Sequence, residues 1–401
     1  MKIIHITPSY KPAYVYGGPI QSVGKLCEAL VQFTAPETQQ SGSFKGDVFS
    51  IQVLTTTANG KDELPVKSSE ATDVNGVQVR YFARWTKDHS HFSPALLLQL
   101  NKELQQAKRN GIETVVHIHA WWNLVSVLSC LVARYHNIPV IVSPRGMLTG
   151  YTKNNRNGFF KQLIHVSLGK NLLKSSHIHA TSQQEKQEFL DIVEPKSITV
   201  IPNLVNLPLQ QIHNFIIKTE ANAPLFKMIF LSRIEQKKGL EFLFEALAKV
   251  EFPWRLTIAG SGDQRYIKSL KLKAELLKID RRLNWLGHIS NEEKFNVLAN
   301  HDLLVLTSYN ENFANVVLES LSVGTAVLIS DQVGLSDYVA KKNLGWITSM
   351  KISEITLNIK NAFTESTRRN EIRLEAPTLI RADFEDLSLA TKYLTRYKST
   401  L

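Results

Sequence analysis

The stretch 303–331 constrains the fold most, because its pattern predicts strand, loop, helix and strand in succession. Its short apolar run Leu303–Leu306 is typical of a strand buried on both faces. A helix-period segment over about 315–323 follows a polar loop, and Gly324 is a typical helix stop before a second apolar run, 325–330. This order places a polar loop between the carboxyl end of a strand and the amino end of a helix. In open α/β sheets ligands bind at such ends, and helix N-termini offer N–H groups to anions.

Two carboxylates, Glu311 and Glu319, bracket this loop and helix. If the helix begins near Phe313, Glu319 lies on its second turn and shares a face with the first-turn amides. The backbone N–H groups of residues 312–315 then offer a docking place for a diphosphate. Taken alone, the two acids are better explained as a solvated loop residue and an exposed helix residue, since charged side chains are mostly exposed. The choice depends on the other motifs.

The size of the chain, 401 residues, exceeds the usual size of a single core, so we expect two domains. The first residues lead directly into an apolar strand pattern rather than a secretory signal. No apolar run approaches the roughly 20 residues needed to span a bilayer. Cys27 and Cys130 both lie in helix-like apolar patterns, which favours reduced core residues in a cytoplasmic protein over a disulfide or metal pair.

The net charge of +11 and a pI of about 9.4 are compatible with nucleic acid, an anionic membrane or anionic substrates as partners. The cations are scattered, without an arginine-rich tract, a helix-turn-helix signature or an aromatic-basic RNA motif, so we expect no nucleic-acid partner. Segment 151–175 combines lysines and arginine with apolar residues at helical spacing. Its basic side predicts peripheral contact with an anionic membrane or a lipid-phosphate acceptor.

The first half of the chain alternates strands and helices. A strand over 2–7 is followed by Gly17-Gly18 and a predicted helix over about 20–32. Two glycines after a first strand let backbone approach a phosphate closely, although most such pairs are simple turns. Asn75-Gly76 predicts a turn joining two short strands.

A strand over 114–118 ends at His119, followed by Trp121 and a helix over about 124–135. A histidine at this point can polarise a sugar hydroxyl, and indoles stack on sugar faces; alternatively, His119 satisfies a backbone group. His117 shares its sheet face by strand alternation and, being deeper, is predicted to be structural. The next strand, 139–143, precedes Arg145, which is either a phosphate contact or a surface arginine in a turn.

The second half repeats the α/β pattern after a predicted linker, 207–225. A strand over 228–231 precedes Arg233 and Lys238, two cations able to neutralise a diphosphate leaving group. Later strands precede Gly260-Ser261-Gly262, weak evidence by itself, and His288-Ile289. The tail, 384–397, predicts one terminal helix.

Together these motifs resemble the family 4 retaining glycosyltransferases over nearly the whole chain. The resemblance is carried by Glu311 and Glu319 with seven residues between them, and by Arg233 and Lys238 with its following glycine. Further matches are the Pro-Arg-Gly-Met-Leu segment, 144–148, and Pro-Asn at 202–203. One departure is Ala314, where the family usually has glycine; a methyl group is tolerable there if φ is negative. Another is Leu204, where glycine usually follows Pro-Asn.

The resemblance implies an α/β protein of the GT-B type, with two Rossmann-like domains and a deep interdomain cleft. Residues 1–206 would form the acceptor-binding domain and 207–383 the nucleotide-sugar-binding domain. Residues 384–401 would form a helix crossing back to the first domain.

By resemblance, Glu319 accepts ribose hydroxyls, while Glu311 and the amides of 313–316 hold the transferred sugar and β-phosphate. Arg233 and Lys238 stabilise the leaving diphosphate. The implied catalytic residues are His119, Arg233, Lys238 and Glu311. The implied donor-binding residues are Gly17, Gly18, Arg233, Lys238, His288, Ile289, Glu311, Phe313, Ala314, Asn315, Val316 and Glu319; Trp121 and Arg145 are implied on the acceptor side.

The sequence contains no Asp-x-Asp, which fits a metal-independent pattern in which cations and helix dipoles replace a divalent ion. We therefore expect no metal and no cofactor. The resemblance implies a nucleotide-diphosphate sugar as donor substrate and retention of anomeric configuration by front-face displacement. The acceptor would be a glycan or a lipid-linked molecule in cell-surface polysaccharide or lipopolysaccharide biosynthesis, at the cytoplasmic side of the membrane. A sugar-nucleotide epimerase of the same fold and a non-catalytic binding protein are the alternatives. Product analysis with and without acceptor separates the first from a transferase. The second is disfavoured by the presence of four charged residues, Arg233, Lys238, Glu311 and Glu319.

Overall fold

The computed structural model describes residues 1–34, 44, 47–148, 169–208 and 225–401. Helices and strands are numbered in chain order within these residues. The strands are β1 (Lys2–Thr7), β2 (Ser50–Thr56), β3 (Ala58–Asn59), β4 (Asp62–Glu63), β5 (Ala71–Val74), β6 (Val77–Phe82), β7 (Thr114–His119), β8 (Val140–Ser143), β9 (His177–Ala180), β10 (Ser197–Val200), β11 (Phe226–Leu231), β12 (Trp254–Ala259), β13 (Leu283–Gly287), β14 (Leu303–Leu306), β15 (Ala326–Ser330) and β16 (Gly345–Thr348).

The α-helices are α1 (Gly18–Thr34), α2 (Pro94–Arg109), α3 (Leu124–Tyr135), α4 (Lys170–Lys174), α5 (Gln183–Leu190), α6 (Leu240–Leu247), α7 (Gln264–Leu276), α8 (Asn291–Ala299), α9 (Asn315–Ser322), α10 (Ser336–Lys341), α11 (Ile352–Thr364), α12 (Ser366–Asp383) and α13 (Asp386–Lys398). Short 3-10 helices cover Tyr14–Tyr16, Gln236–Lys238 and Asp280–Arg282.

The chain divides into two compact units. The first unit comprises Met1–Leu204 and Phe384–Leu401, and the second comprises Val205–Asp383. From the sequence we expected boundaries after residues 206 and 383. The terminal helix α13 belongs to the first unit, where Asp386 forms an ion pair of 2.6 Å with Lys25 of α1.

The sheet of the first unit has eight strands in the order β10-β9-β8-β7-β1-β2-β6-β5. All neighbours are parallel except β5 and β6, which form the hairpin predicted at Asn75-Gly76. Strand β7 is buried along its whole length, as expected for a strand covered on both faces. The strand order reverses between β1 and β7, and the carboxyl ends of strands at such a reversal border the usual ligand crevice of open α/β sheets.

The sheet of the second unit has six parallel strands in the order β13-β12-β11-β14-β15-β16. Its order reverses between β11 and β14, where Met228 pairs with Leu303. Strands β14 and β15 are fully buried, which explains their uninterrupted apolar sequences. The loops 232–239 and 307–314 therefore leave the sheet side by side at its switch point.

Several predicted elements are confirmed. Strands β1 and β14 and helix α3 have the predicted bounds. Gly324 follows α9 with φ of +80°, and its N–H donates to Leu321 O at 3.0 Å, which confirms it as the helix stop. Cys27 and Cys130 are free and buried, as predicted.

Other elements differ from expectation. Helix α1 begins at Gly18 rather than near residue 20, because Pro19 fits the first turn of a helix. Helix α9 begins at Asn315 rather than near Phe313, and α13 begins at Asp386. Most of segment 151–175 and of the linker 207–225 lies outside the described residues, so both remain predictions.

None of the helices within the described ranges combines the length and the apolar character needed to cross a membrane.

Candidate functional site

Two loops of opposite charge meet where the strand order of the second unit reverses. The loop after β11 carries Arg233, Lys237 and Lys238, and the loop after β14 carries Glu311. Lys238 Nζ donates a hydrogen bond to Glu311 Oε2, and these side chains are 5% and 22% exposed. These two residues are 73 positions apart in the sequence, and the fold brings them into contact. The sequence analysis had assigned both to one site.

A glycine allows these loops to touch. Gly239 has φ of +66°, and a Cβ placed on it would lie 2.0 Å from Thr307 O. The N–H of Tyr309 also donates to Lys237 O at 2.8 Å. Because a side chain at position 239 would push the loops apart, the approach of Lys238 to Glu311 depends on this glycine.

The Gly-x-Gly segment after β12 packs against the backbone of the loop that carries Arg233. A Cβ on Gly260 would lie 1.9 Å from Ser232 O, and one on Gly262 would lie 2.1 Å from Ile234 O. The Ile234 N–H donates at 2.8 Å to the carbonyl of the residue between the two glycines. These glycines therefore let one loop pack closely against the backbone that carries Arg233.

The site holds more positive than negative charge. Arg233 Nη1 lies 2.7 Å from Glu235 Oε1 with its side chain 43% exposed, and Lys237 Nζ lies 3.7 Å from the other oxygen of Glu235. Burial raises the pKa of Glu311, but the charges of Lys238, Lys237 and Arg233 outweigh it and hold that pKa below its usual value. Burial, and then the charge of Lys238, lowers the pKa of Lys237. Three cations beside two carboxylates suit an anionic ligand such as a diphosphate.

The amino end of α9 corrects the expectation for Ala314. Its φ is +66° and its ψ 73°, so the negative φ under which we expected alanine to be tolerated is wrong. A left-handed alanine costs about 1–2 kcal/mol, which glycine avoids. Phe313 is buried, while Asn315 and Val316 form the first turn of α9.

Replacing Ala314 by glycine should raise the free energy of unfolding by about 0.5–1 kcal/mol, because the relief of strain exceeds the entropy cost of glycine. Urea denaturation measures this change. The control Ala248→Gly, at a position with φ of −62°, should lower the same quantity by about 0.5–1 kcal/mol. Equal destabilisation by both glycines would contradict the left-handed assignment.

Glu319 lies on α9 and is only 5% exposed. Its Oε1 accepts a hydrogen bond from Lys294 Nζ of α8 at 2.7 Å. Sequence reasoning missed Lys294. The available signal was its place one turn before the apolar Leu298 on a short helix, since a lysine on a buried face requires a partner.

Two of the implied donor-binding residues follow β13, where His288 is exposed and Ile289 is partly buried. The Gly260 N–H donates to Gly287 O at 2.6 Å. The end of β13 therefore lies beside the loop after β12, on the carboxyl edge of the same sheet.

In the first unit, the switch point holds buried histidines. His5, His117 and His119 are each no more than 1% exposed, and His5 Nδ1 lies 3.0 Å from His119 Nε2. The ring nitrogens of His117 lie 2.6 Å from Ser143 Oγ and 2.8 Å from Tyr397 Oη. These contacts agree with the structural role predicted for His117, and they show that His119 also lies inside this polar network.

Arg145 lies near the amino end of α1. Its Nη1 donates to Asn203 Oδ1 at 2.9 Å and to Ser22 Oγ at 3.1 Å, and its Nε lies 3.4 Å from His119 Nδ1. Within the described ranges, no carboxylate forms an ion pair with this guanidinium. At the amino end of α1, Gly17 has φ of +72°, and a Cβ on Gly18 would meet no atom within 4 Å. An anionic ligand could therefore approach Arg145 and the amino end of α1.

Trp121 is a correction to the predicted acceptor side. Its side chain has no exposed surface and packs in the core of the first unit with Ile118 and Val125. The preceding Ala120 has φ of +73°, so the chain turns sharply after β7. Because the indole is enclosed by core residues, it cannot stack on a sugar in this conformation.

One group of side chains in the described part of the chain has the spacing of metal ligands. Ligand atoms of His5, His117 and His119 lie within 4.8 Å of one another. However, both nitrogens of His117 are engaged in hydrogen bonds, and Arg145 lies beside His119. A neighbouring guanidinium charge disfavours a cation, so this group fits a hydrogen-bond network better than a metal centre.

Two protein-family models match the chain. The model described as "Glycosyltransferase Family 4" matches residues 48–208, and the model described as "Glycosyl transferases group 1" matches residues 212–377.

Two curated relatives align with most of the chain. An uncharacterized glycosyltransferase of Methanocaldococcus jannaschii is 25% identical over 362 residues, covering 86% of this chain and 85% of that protein. The GDP-mannose:cellobiosyl-diphosphopolyprenol alpha-mannosyltransferase of Xanthomonas oryzae is 23% identical, covering 82% and 79%. Among solved structures, the sucrose-phosphate synthase of Thermosynechococcus elongatus has a TM-score of 0.75 at 16% identity, covering 100% of this chain and 99% of that one. At this identity the structural likeness establishes the fold.

Proposed function

This chain belongs to the family 4 glycosyltransferases and has the GT-B fold, and we propose that it moves a hexose-type sugar from a nucleotide-diphosphate sugar to a glycan or lipid-linked acceptor. The observation that carries this proposal is the contact of Lys238 with Glu311 at the switch point of the second unit. It joins a cationic loop and a carboxylate at the edge where open α/β sheets bind ligands.

The second unit is proposed to bind the donor. Arg233 and Lys238 would neutralise the diphosphate, and their charge would be most valuable as negative charge grows on the leaving group. Glu311, held ionised by these cations, would bind the transferred sugar. Glu319 would accept a ribose hydroxyl, and the first-turn amides of α9 would bind the β-phosphate.

The first unit is proposed to bind the acceptor. Arg145 carries a charge that no described carboxylate neutralises by an ion pair, which supports contact with a phosphate group. His119 retains its predicted catalytic role as a proposal, although its burial requires a change of conformation before it could touch a substrate. The Xanthomonas relative is named for a diphosphopolyprenol-linked acceptor, which supports a lipid-linked acceptor and a place in cell-surface polysaccharide or lipopolysaccharide biosynthesis at the cytoplasmic membrane face.

A panel of nucleotide-sugars tests the proposal. UDP-, GDP- and ADP-linked hexoses are added singly, and the melting temperature is recorded; a ligand at about 100 times its Kd adds roughly 2.7 kcal/mol to stability. We expect one nucleotide class to protect, and we expect that donor to yield a glycosylated product with an acceptor extract. Protection by none of them would overturn the proposed function.

The two glutamates should have different effects. Because Glu319 is placed near the ribose, Glu319→Ala should weaken binding of the free nucleoside diphosphate. Glu311→Ala should mainly lower turnover, since Glu311 is placed near the transferred sugar. Titration of the nucleoside diphosphate together with initial-rate measurements separates the two; equal loss of nucleotide affinity in both variants would contradict this division.

Activity should also persist in EDTA, because cationic side chains and backbone N–H groups are the proposed partners of the diphosphate. Initial rates are compared with and without the chelator. A rate that disappears in EDTA and returns with manganese or magnesium would show that a metal is required.

A further inference from the structure

The lysine that contacts Glu319 is itself almost fully enclosed. The side chains of Lys294 and Glu319 are 9% and 6% exposed, and their Nζ–Oε1 distance is 2.7 Å. Lys294 Nζ also lies 3.4 Å from Asn291 Oδ1 and 5.0 Å from the ring centroid of Phe295. The ammonium therefore contacts two groups of its own helix while it bonds to the carboxylate of α9.

Stability alone does not account for such a pair. Desolvating two charges offsets most of their attraction, so apolar residues of similar volume usually stabilise a buried position as well or better. Leu298, one turn after Lys294 on α8, is completely buried, so this face of the helix already holds an apolar side chain. The pair does fix one thing that apolar residues could not, namely the direction of the Glu319 carboxylate.

We propose that Lys294 is a positioning residue of the nucleotide site, holding the Glu319 carboxylate oriented for the ribose. The inference rests on the proposed function of Glu319. A carboxylate has two acceptor oxygens; Lys294 occupies Oε1, and among the described residues no hydrogen bond to Oε2 is formed. This leaves Oε2 to accept from a ribose hydroxyl. Without the ammonium, no hydrogen bond among the described residues fixes the direction of this carboxylate.

The test compares ribose discrimination rather than affinity alone. UDP, GDP and ADP, with their 2′-deoxy and 3′-deoxy counterparts, are titrated against the full-length wild type and against Lys294→Met, Lys294→Gln and Lys294→Arg. The control is Lys273→Met, which breaks a more exposed lysine–glutamate pair with Glu245 in the same unit. Wild type should prefer one ribonucleotide over a deoxy counterpart by about 10- to 100-fold, the value of a hydrogen bond to a charged group.

The methionine and glutamine variants should lose most of this discrimination, the arginine variant should keep much of it, and the control should match wild type. If Lys294→Met fails to fold, the smaller change in Lys294→Gln provides the same ratio. Discrimination that stays at the wild-type ratio in both neutral variants would overturn the inference while leaving the proposed function intact. Failure of wild type to bind any of the nucleotides would overturn the proposed function, and this inference with it.

Discussion

Replacing Lys238 by methionine is expected to lower turnover by about 10²–10³-fold, the usual cost of removing one preorganised charge-stabilising donor. Lys238 is nearly buried and bonds directly to Glu311, so methionine fills its volume but removes the cation. Because negative charge on the leaving diphosphate grows as the glycosidic bond breaks, the loss should appear in turnover more than in donor binding. Initial rates across donor concentrations separate these two quantities.

The control for this prediction is Lys273→Met, which removes a lysine from another ion pair of the second unit and should leave turnover unchanged. Arg233→Ala should cost less than Lys238→Met, since Arg233 is 43% exposed and its interactions are better screened. Arg233→Lys should recover part of that loss, because a point charge cannot reproduce a bidentate fork. Wild-type turnover in both Lys238→Met and Arg233→Ala would show that this loop does not stabilise the leaving group.

Lowering the pH from 7.5 to 5.0 is expected to destabilise the first unit strongly. Burial, with a further contribution from the charge of Arg145, lowers the pKa of His5 to about 3, and burial lowers that of His179 to about 3. In the unfolded chain both titrate near 6.5. The unfolded state therefore binds more protons between these values, so stability is fully present above pH 6.5 and is lost as the pH falls toward 3. At pH 5.0 each of these two histidines should lower the free energy of unfolding by about 2 kcal/mol relative to its value above pH 6.5.

Urea denaturation at the two pH values measures this loss. In His179→Gln the difference in the free energy of unfolding between pH 7.5 and pH 5.0 should shrink by about 2 kcal/mol. The loss of contacts with Ser143 and Tyr393 lowers the free energy of unfolding at both pH values and does not change this difference. The exposed His288 offers the control, and His288→Asn should keep the wild-type difference. An unchanged difference in His179→Gln would mean that this histidine is not held neutral.

The parts of the fold that depend on local pattern could be predicted from the sequence. The apolar run Leu303–Leu306 and the stop at Gly324 are local signals, and both are where they were expected. The pairing of Lys238 with Glu311 could be anticipated only through the resemblance, because it depends on β11 and β14 being neighbours in the sheet. Strand order is set by long-range pairing, which residue patterns do not reveal.

Three features escaped prediction for physical reasons. Ala314 has a positive φ, which is unfavourable for alanine. An alanine in the sequence therefore favours the expectation of a negative φ at this position. The burial of Trp121 follows from a sharp turn at Ala120, which has no sequence signature. Lys294 resembled a solvated helix residue because its partner, Glu319, lies on the next helix.

The central claim is that the switch point of the second unit binds the diphosphate of a nucleotide-sugar. Calorimetric titration of UDP, GDP and ADP in EDTA tests it most directly, with wild type, Lys238→Met, Glu319→Ala and the control Lys273→Met measured side by side. We predict that one nucleotide binds wild type and the control with equal affinity and a stoichiometry of about one, as a single built site requires. We also predict weaker binding to Glu319→Ala and less favourable binding enthalpy for Lys238→Met, since a charge-assisted contact is lost. Binding of the same nucleotide to all four proteins with the same affinity and enthalpy would contradict the claim.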